Sequence, residues 1–310
     1  MKLLRRQFLH LAAGAAALST ASRIARAALA NVPHQTGRVS SGDVSIFYRS
    51  FGAKGRTPIV VMHGANYFDS YDWIGVAGAL ASDREVVAFD RRGWGESSWS
   101  PSKDYSIDAH MSDALAVVGK MGWDQAIFMG HSASSRVVVS LAANFAAKTA
   151  GLIVVDQIVP PASGDQAPTI GNPPTIFPSI EAAMASFAKL NNPPRIAHDR
   201  ERAQNALIKV EGGYRLKRDP DYQNARPIGE GAQIPRRPPS DVWKDLAAVK
   251  APTMVVRGLK SDRWDNPAVL ERLTRDYPQV SIVTVDAQHD VPDQAPDALI
   301  AHVRKFVGTS

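Results

Sequence analysis

Ser132 stands at the centre of the run Ala126-Ile127-Phe128-Met129-Gly130-His131-Ser132-Ala133-Ser134-Ser135-Arg136-Val137-Val138-Val139. An apolar strand pattern stops at a glycine, presents one serine, and resumes as an apolar helix pattern. A serine at such a corner has its hydroxyl pushed clear of the backbone. The first amides of the following helix face whatever that hydroxyl attacks, and the helix dipole favours negative charge there. The arrangement is a nucleophile elbow, written G-x-S-x-G. Here it reads Gly130-His131-Ser132-Ala133-Ser134, with serine in place of the last glycine. The turn needs small side chains on either side of the nucleophile, and serine is still small.

An alcohol is a weak nucleophile at neutral pH, so Ser132 needs a base in contact and that base needs an orienting acid. Of the 8 histidines, His10 lies in the amino-terminal leader pattern and His34 in the tail after it. His110 and His302 fall in helix patterns, where solvated surface positions are expected, and His198 opens a later helix. His63 and His131 end strands beside the site and are expected to brace loops, with His131 also bordering the substrate space. His289 remains, in Asp286-Ala287-Gln288-His289-Asp290, a loop opening at a strand's carboxyl end. The same logic selects Asp262, in Arg257-Gly258-Leu259-Lys260-Ser261-Asp262, as the acid. Asp156, which ends the strand after the elbow helix, is its rival.

Strand-like and helix-like segments alternate, the pattern of an α/β architecture with a mostly parallel sheet. Val39 to Tyr48 alternates around Gly42-Asp43 as an opening hairpin. Buried strands are expected at 58–62, 85–89, 126–130, 151–155, 252–257 and 280–284. Helices are expected near 73–80, 106–121 and 296–307. Between Pro160 and about Val249 the rhythm gives way to proline pairs, charge and two amphipathic segments, Ile180–Leu190 and Arg200–Val210. These read as an inserted helical cap over the carboxyl ends of the strands, where open α/β sheets bind ligands. The expected division is a leader over 1–30, core over 31–159, cap over 160–249 and core again over 250–310.

Five blocks together resemble the capped branch of the α/β-hydrolase superfamily. They are Val60-Val61-Met62-His63-Gly64, Phe89-Asp90-Arg91-Arg92-Gly93-Trp94-Gly95-Glu96-Ser97, Gly130-His131-Ser132, Gly258 to Asp262, and His289. The order serine, acid, histidine along the chain is that of these hydrolases. The resemblance implies an α/β-hydrolase fold: about eight strands, mostly parallel, flanked by helices, with the cap between the sixth and seventh. It also implies cofactor-free hydrolysis by Ser132, His289 and Asp262, and the scattered acids and histidines show no metal-ligand spacing such as H-E-x-x-H. By position, the backbone amides of Ala65 and Ala133 would form the oxyanion hole, where losing one donor costs roughly 3–4 kcal/mol. Asn66, Tyr67 and Phe68 would line the entrance.

Composition narrows the rest. The chain has 310 residues, 45% hydrophobic and 21% charged, enough for a large core. It has no cysteine, which excludes disulfides and thiolate chemistry. Lys2, Arg5 and Arg6 precede an apolar stretch over Phe8–Leu18, followed by Ala25-Arg26-Ala27 and Ala28-Leu29-Ala30. That is the layout of a cleaved signal peptide, cut after about Ala27 or Ala30, and Arg5-Arg6-Gln7-Phe8-Leu9 resembles a twin-arginine export motif. The apolar run is well short of the ~20 residues of a membrane span. Losing five basic residues with this leader takes the net charge from +6 to +1, leaving little to attract nucleic acid. Gly93-Trp94-Gly95 lacks the third glycine of a dinucleotide fingerprint. The expectation is a periplasmic or secreted serine hydrolase that cleaves a small-molecule ester or lactone. A carbon–carbon bond hydrolase or a cofactor-free perhydrolase would keep the same triad, and the Ser134 departure leaves room for a weakly catalytic binding protein. The cap holds slightly more Lys and Arg than Asp and Glu, which surface solvation explains as well as anionic ligands do.

Overall fold

A computed structural model describes residues 32–65, 67–158, 176–190, 192–222 and 241–308. The leader and its cleavage points lie outside the described residues, as do Asn66 and much of the expected cap. The opening hairpin is formed by β1 (Gln35–Ser41) and β2 (Val44–Phe51), which pair antiparallel across Gly42 with its φ of +56°. β3 (Arg56–Met62), β4 (Arg84–Phe89), β5 (Ala126–His131) and β6 (Thr149–Val155) follow, with β9 (Thr253–Gly258) and β10 (Val280–Val285) at the end. These eight strands make one sheet in the order β1-β2-β4-β3-β5-β6-β9-β10. Every pairing from β4 to β10 is parallel. Strands buried on both faces read as continuous apolar runs, which is why Ile59 to Met62 and Ile127 to Met129 are solvent-free.

Helices cover both faces: α1 (Ile74–Leu80), α2 (Ile107–Met121) and α3 (Ala133–Asn144) in the first half of the chain. Ser106 caps α2 by accepting the Ala109 amide, and Gly122 ends it in the left-handed region that glycine adopts without strain. Val137, Val138 and Leu141 of α3 join Val60, Met62 and Phe128 in the main core.

The segment between β6 and β9 departs from expectation in two ways. Its described part holds α4 (Ile180–Phe187) and α5 (Arg200–Ala206), but Arg200–Val210 is not one helix. The chain straightens at Leu207 into β7 (Leu207–Val210), which pairs antiparallel with β8 (Gly213–Leu216) across Glu211-Gly212. Gly212 holds a φ of +81°, the backbone that a two-residue hairpin turn demands. These elements share a small core of their own around Phe177, Phe187, Ile196 and Leu207. The second departure is α6 (Val242–Ala248), expected in the cap. Its Val242, Trp243 and Leu246 lie in the main core, and Asp245 accepts a 2.5 Å bond from Ser140 of α3. Residues 242–246 thus pack with the main core. α7 (Pro267–Asp276), the short α8 (Val291–Gln294) and α9 (Pro296–Val307) complete the chain.

Buried charge fastens this segment to loops at the carboxyl ends of β3 and β4. Arg202 of α5 is 1% exposed, holds both oxygens of Asp72 at 2.7 and 2.8 Å, and stands 3.2 Å from Asp69. Lys217 pairs with Glu96, and Asp219 accepts from Lys103 and Tyr105.

Candidate active site

Ser132 occupies the corner between β5 and α3 with φ 55° and ψ −123°, a conformation that costs a non-glycine residue about 1–3 kcal/mol. The neighbours are small because the turn has no room. A Cβ on Gly130 would meet Val138 Cγ2 at 2.6 Å and the Ser134 carbonyl at 2.7 Å. A Cβ on Gly64 would lie 2.9 Å from His131 Nδ1 and 3.2 Å from Ser132 Cβ. Ser134, the departure from the motif, is fully buried and donates its hydroxyl to the His63 carbonyl at 2.6 Å. It ties the elbow to the His63-Gly64 turn, so the extra side chain is satisfied rather than strained.

His289 bridges two partners. Its Nε2 lies 2.8 Å from Ser132 Oγ and its Nδ1 lies 2.8 Å from Asp156 Oδ2. The carboxylate on the imidazole is thus that of Asp156, which directly follows β6. Asp262 was expected there and is not: its side chain is 63% exposed and paired with Arg263 at 3.2 Å. The Asp262 loop contributes in another way, through groups that donate to Asp156. The Gly258 amide (2.6 Å) and Trp264 Nε1 (2.8 Å) bond Oδ1, and the Ser261 hydroxyl (2.5 Å) bonds Oδ2 beside the imidazole. Asp156 also adopts a φ of +55°, the left-handed region that non-glycine residues rarely enter.

Burial sets the charge states. Desolvation pushes His289 down to about 3, reinforced by Arg263, so its ring is neutral near pH 7. Desolvation also raises Asp156 to about 6, against the pull of its three donors, which leaves it ionised at neutral pH. A neutral imidazole that donates Nδ1–H to a carboxylate presents a bare Nε2 to the serine, the state a general base requires.

Other expected residues take different places. The Ala133 amide opens α3, and Ala133 lines the cavity beside Ser132. Ala65 sits in the turn that abuts the nucleophile, its carbonyl accepting from the Tyr67 amide. His131 is wholly buried and is not among the residues lining the cavity beside Ser132; it packs against His289 and bonds that residue's carbonyl at 2.9 Å. Phe68 is buried against the His131 ring, 5.0 Å between centroids, and Tyr67 packs edge-on to Phe187 of α4. His63 braces the turn as expected: its Nε2 accepts the Arg91 amide, leaving Nδ1–H to donate to the Gly64 carbonyl. His110 is not a solvated surface residue but 2% exposed.

A cavity of about 230 Å³ opens on Ser132 Oγ. Its walls include Tyr105, His110, Tyr222, Gln157 and Ile158. Gln157 Oε1 lies 3.2 Å from Ser132 Oγ. No spacing pattern marks these residues, since they come from the loop after β4, helix α2, the loop after β6 and the segment after β8.

Comparison with known proteins agrees with this fold. The model of a family described as "Alpha/beta hydrolase family" matches residues 59–302. An N-formylmaleamate deformylase of Pseudomonas putida is 33% identical over 128 residues, 41% of this chain and 46% of that enzyme, so the match spans less than half of the relative. A non-heme chloroperoxidase of Burkholderia pyrrocinia is 26% identical over 233 residues, 70% of this chain and 78% of that one. The crystal structure of an E-2-(acetamidomethylene)succinate hydrolase superposes with a TM-score of 0.74 at 23% identity, covering 89% of this chain and all of the other.

Proposed function

The chain belongs to the alpha/beta hydrolase family, and from that premise we propose that it is a serine hydrolase cleaving a carboxylic ester or lactone through an acyl-enzyme. One observation carries the reading: a single imidazole within 2.8 Å of both a strained serine hydroxyl and a buried carboxylate. In the reaction this geometry supports, Ser132 Oγ attacks the substrate carbonyl as its proton passes to His289 Nε2. Asp156 holds the ring through Nδ1–H and offsets the positive charge that develops on it. The amides of Ala65 and Ala133 receive the oxyanion. His289 then returns the proton to the departing alcohol, and a water molecule activated by the same nitrogen releases the acid. A lactone follows the same path, its alcohol remaining tethered to the acyl group.

The leader pattern of Lys2, Arg5, Arg6 and Phe8–Leu18 supports a place for this activity in the periplasm or exterior of a bacterial cell. A fluorophosphonate probe tests the chemistry. Wild-type protein is expected to be labelled and Ser132→Ala to be inert, and equal absence of label from both rejects the reading. A panel of esters of graded acyl length and lactones of graded ring size then identifies the preferred class. The likeness to the chloroperoxidase favours one second reading, a perhydrolase with the same triad, which peroxide-dependent peracid formation exceeding ester hydrolysis would establish.

A further inference from the structure

The cavity wall beside Ser132 contains Arg91, whose side chain is 2% exposed. Arginine is rarely buried without a carboxylate, because a charge removed from water must recover its solvation from a partner. Among the described residues Arg91 has no carboxylate within ion-pairing distance. Among the described residues its Nε and Nη1 have no acceptor, and Nη2 lies 2.9 Å from His110 Nε2. The guanidinium lies 4.7 Å from the centre of the Trp94 ring, a favourable contact that supplies no anion.

The neighbouring acids are already engaged. Asp113 gives both oxygens to Arg92 at 2.7 Å each. Asp90 accepts the amides of Ser70 and Glu96. Asp219 accepts from Tyr105, Lys103 and the Asp221 amide. Arg92 thus carries the structural bond of the Arg91-Arg92 pair, while Arg91 lines the cavity with no carboxylate among the described residues in ion-pairing distance. Arg136, one turn along α3 from Ser132, also lines the cavity.

We propose that Arg91 is a specificity-determining residue that binds a carboxylate carried by the substrate, so that the preferred ester or lactone is anionic. The inference rests on the serine hydrolase reading above and narrows its substrate class. A guanidinium suits a carboxylate because it offers several N–H donors in one plane. The cavity's 230 Å³ is small, which places the carboxylate on a compact molecule, a few bonds from the carbonyl that Ser132 attacks. Tyr105 and Tyr222, which pack on one another at 5.2 Å between ring centres, wall the same space with aromatic surface.

The test compares matched substrates by pH-stat. One arm pairs monomethyl esters of four- to six-carbon dicarboxylic acids with methyl esters of monocarboxylic acids of equal length. The other pairs acetyl esters of small hydroxy acids with those of the corresponding alcohols, so that a carboxylate on either side of the ester bond is detected. Wild type is expected to favour the anionic member in at least one arm. Arg91→Met is expected to lower the anionic-to-neutral ratio of kcat/KM by roughly 10- to 100-fold, the range of one charge-assisted hydrogen bond. Arg91→Lys, which keeps the charge and guards against a folding defect in the methionine variant, should retain part of the preference. A wild-type enzyme that takes up the fluorophosphonate label yet prefers neutral esters in both arms overturns the proposal and leaves the serine hydrolase reading standing. A wild-type preference that Arg91→Met leaves intact also overturns it. Protein that neither labels nor turns over any ester removes both.

Discussion

Replacing Asp156 with asparagine should cripple the enzyme, whereas the same change at Asp262 should barely be felt. The hydrogen bonds around Asp156 say how. Oδ1 accepts from the Gly258 amide and Trp264 Nε1, two groups that can only donate. An asparagine NH2 placed there would face both of them, so the amide is driven to put its NH2 at the Oδ2 position. That position faces the Ser261 hydroxyl, which can rotate to accept, and His289 Nδ1. His289 must then accept at Nδ1 and carry its proton on Nε2, where it can no longer take one from Ser132. Enforcing the wrong tautomer in a serine triad costs about 10⁴-fold in kcat. Asp262, 63% exposed and paired with Arg263, touches His289 only through a screened field, and Asp262→Asn is expected to change kcat/KM by less than about twofold. The assay is steady-state hydrolysis of a chromogenic ester, with the rate of fluorophosphonate labelling as a second readout and a melting curve to confirm folding. Near-wild-type rates in Asp156→Asn, or a large loss in Asp262→Asn, would refute the assignment of the acid.

Two further outcomes follow from the charges. The triad works with His289 neutral and Asp156 ionised, and burial lowers the first while raising the second to about 6. The pair takes up its proton as one unit as the pH falls. The pH profile of kcat/KM should be level above about 7 and drop as the pH passes below about 6; an acid limb centred above 7 contradicts these environments. Arg202→Met strands Asp69 and Asp72 without their partner, and breaking a buried pair of this kind costs about 3–5 kcal/mol. Thermal melting should fall and amide exchange over residues 200–222 should accelerate; an unchanged melt with unchanged exchange would mean that Arg202 does not fasten this segment.

Much of the molecule is legible in the sequence because short-range chemistry dictates it. The strand-stop-helix rhythm around Ser132 reflects the geometry of a single corner, and the apolar runs of β3, β4 and β5 reflect burial on both faces. The last helix was expected over Pro296–Val307 and spans those residues. The acid was misassigned because Asp156 and Asp262 both follow strands whose ends reach the same sheet edge. What separates them is non-local: Gly258, Ser261 and Trp264 fold back from one loop to bond the carboxylate of the other. Asp156 does carry a local mark, since it abuts its strand directly while Asp262 lies four residues past β9. The β7–β8 hairpin was also marked, by Gly212-Gly213, but the amphipathic spacing of Arg200–Val210 masked it. His110 was missed for a different reason. Helical periodicity alone puts it on α2 without saying that Arg91 and Trp94, from the loop after β4, pack against it.

The acyl-enzyme itself offers the most direct test. Rapid quenching of the wild-type protein during turnover of a chromogenic ester, followed by peptide mapping, should place the acyl mass on Ser132, formed in a burst of one equivalent per chain. An acyl group on any other residue, or turnover with no covalent species at all, would contradict the claim that this serine is the nucleophile His289 serves.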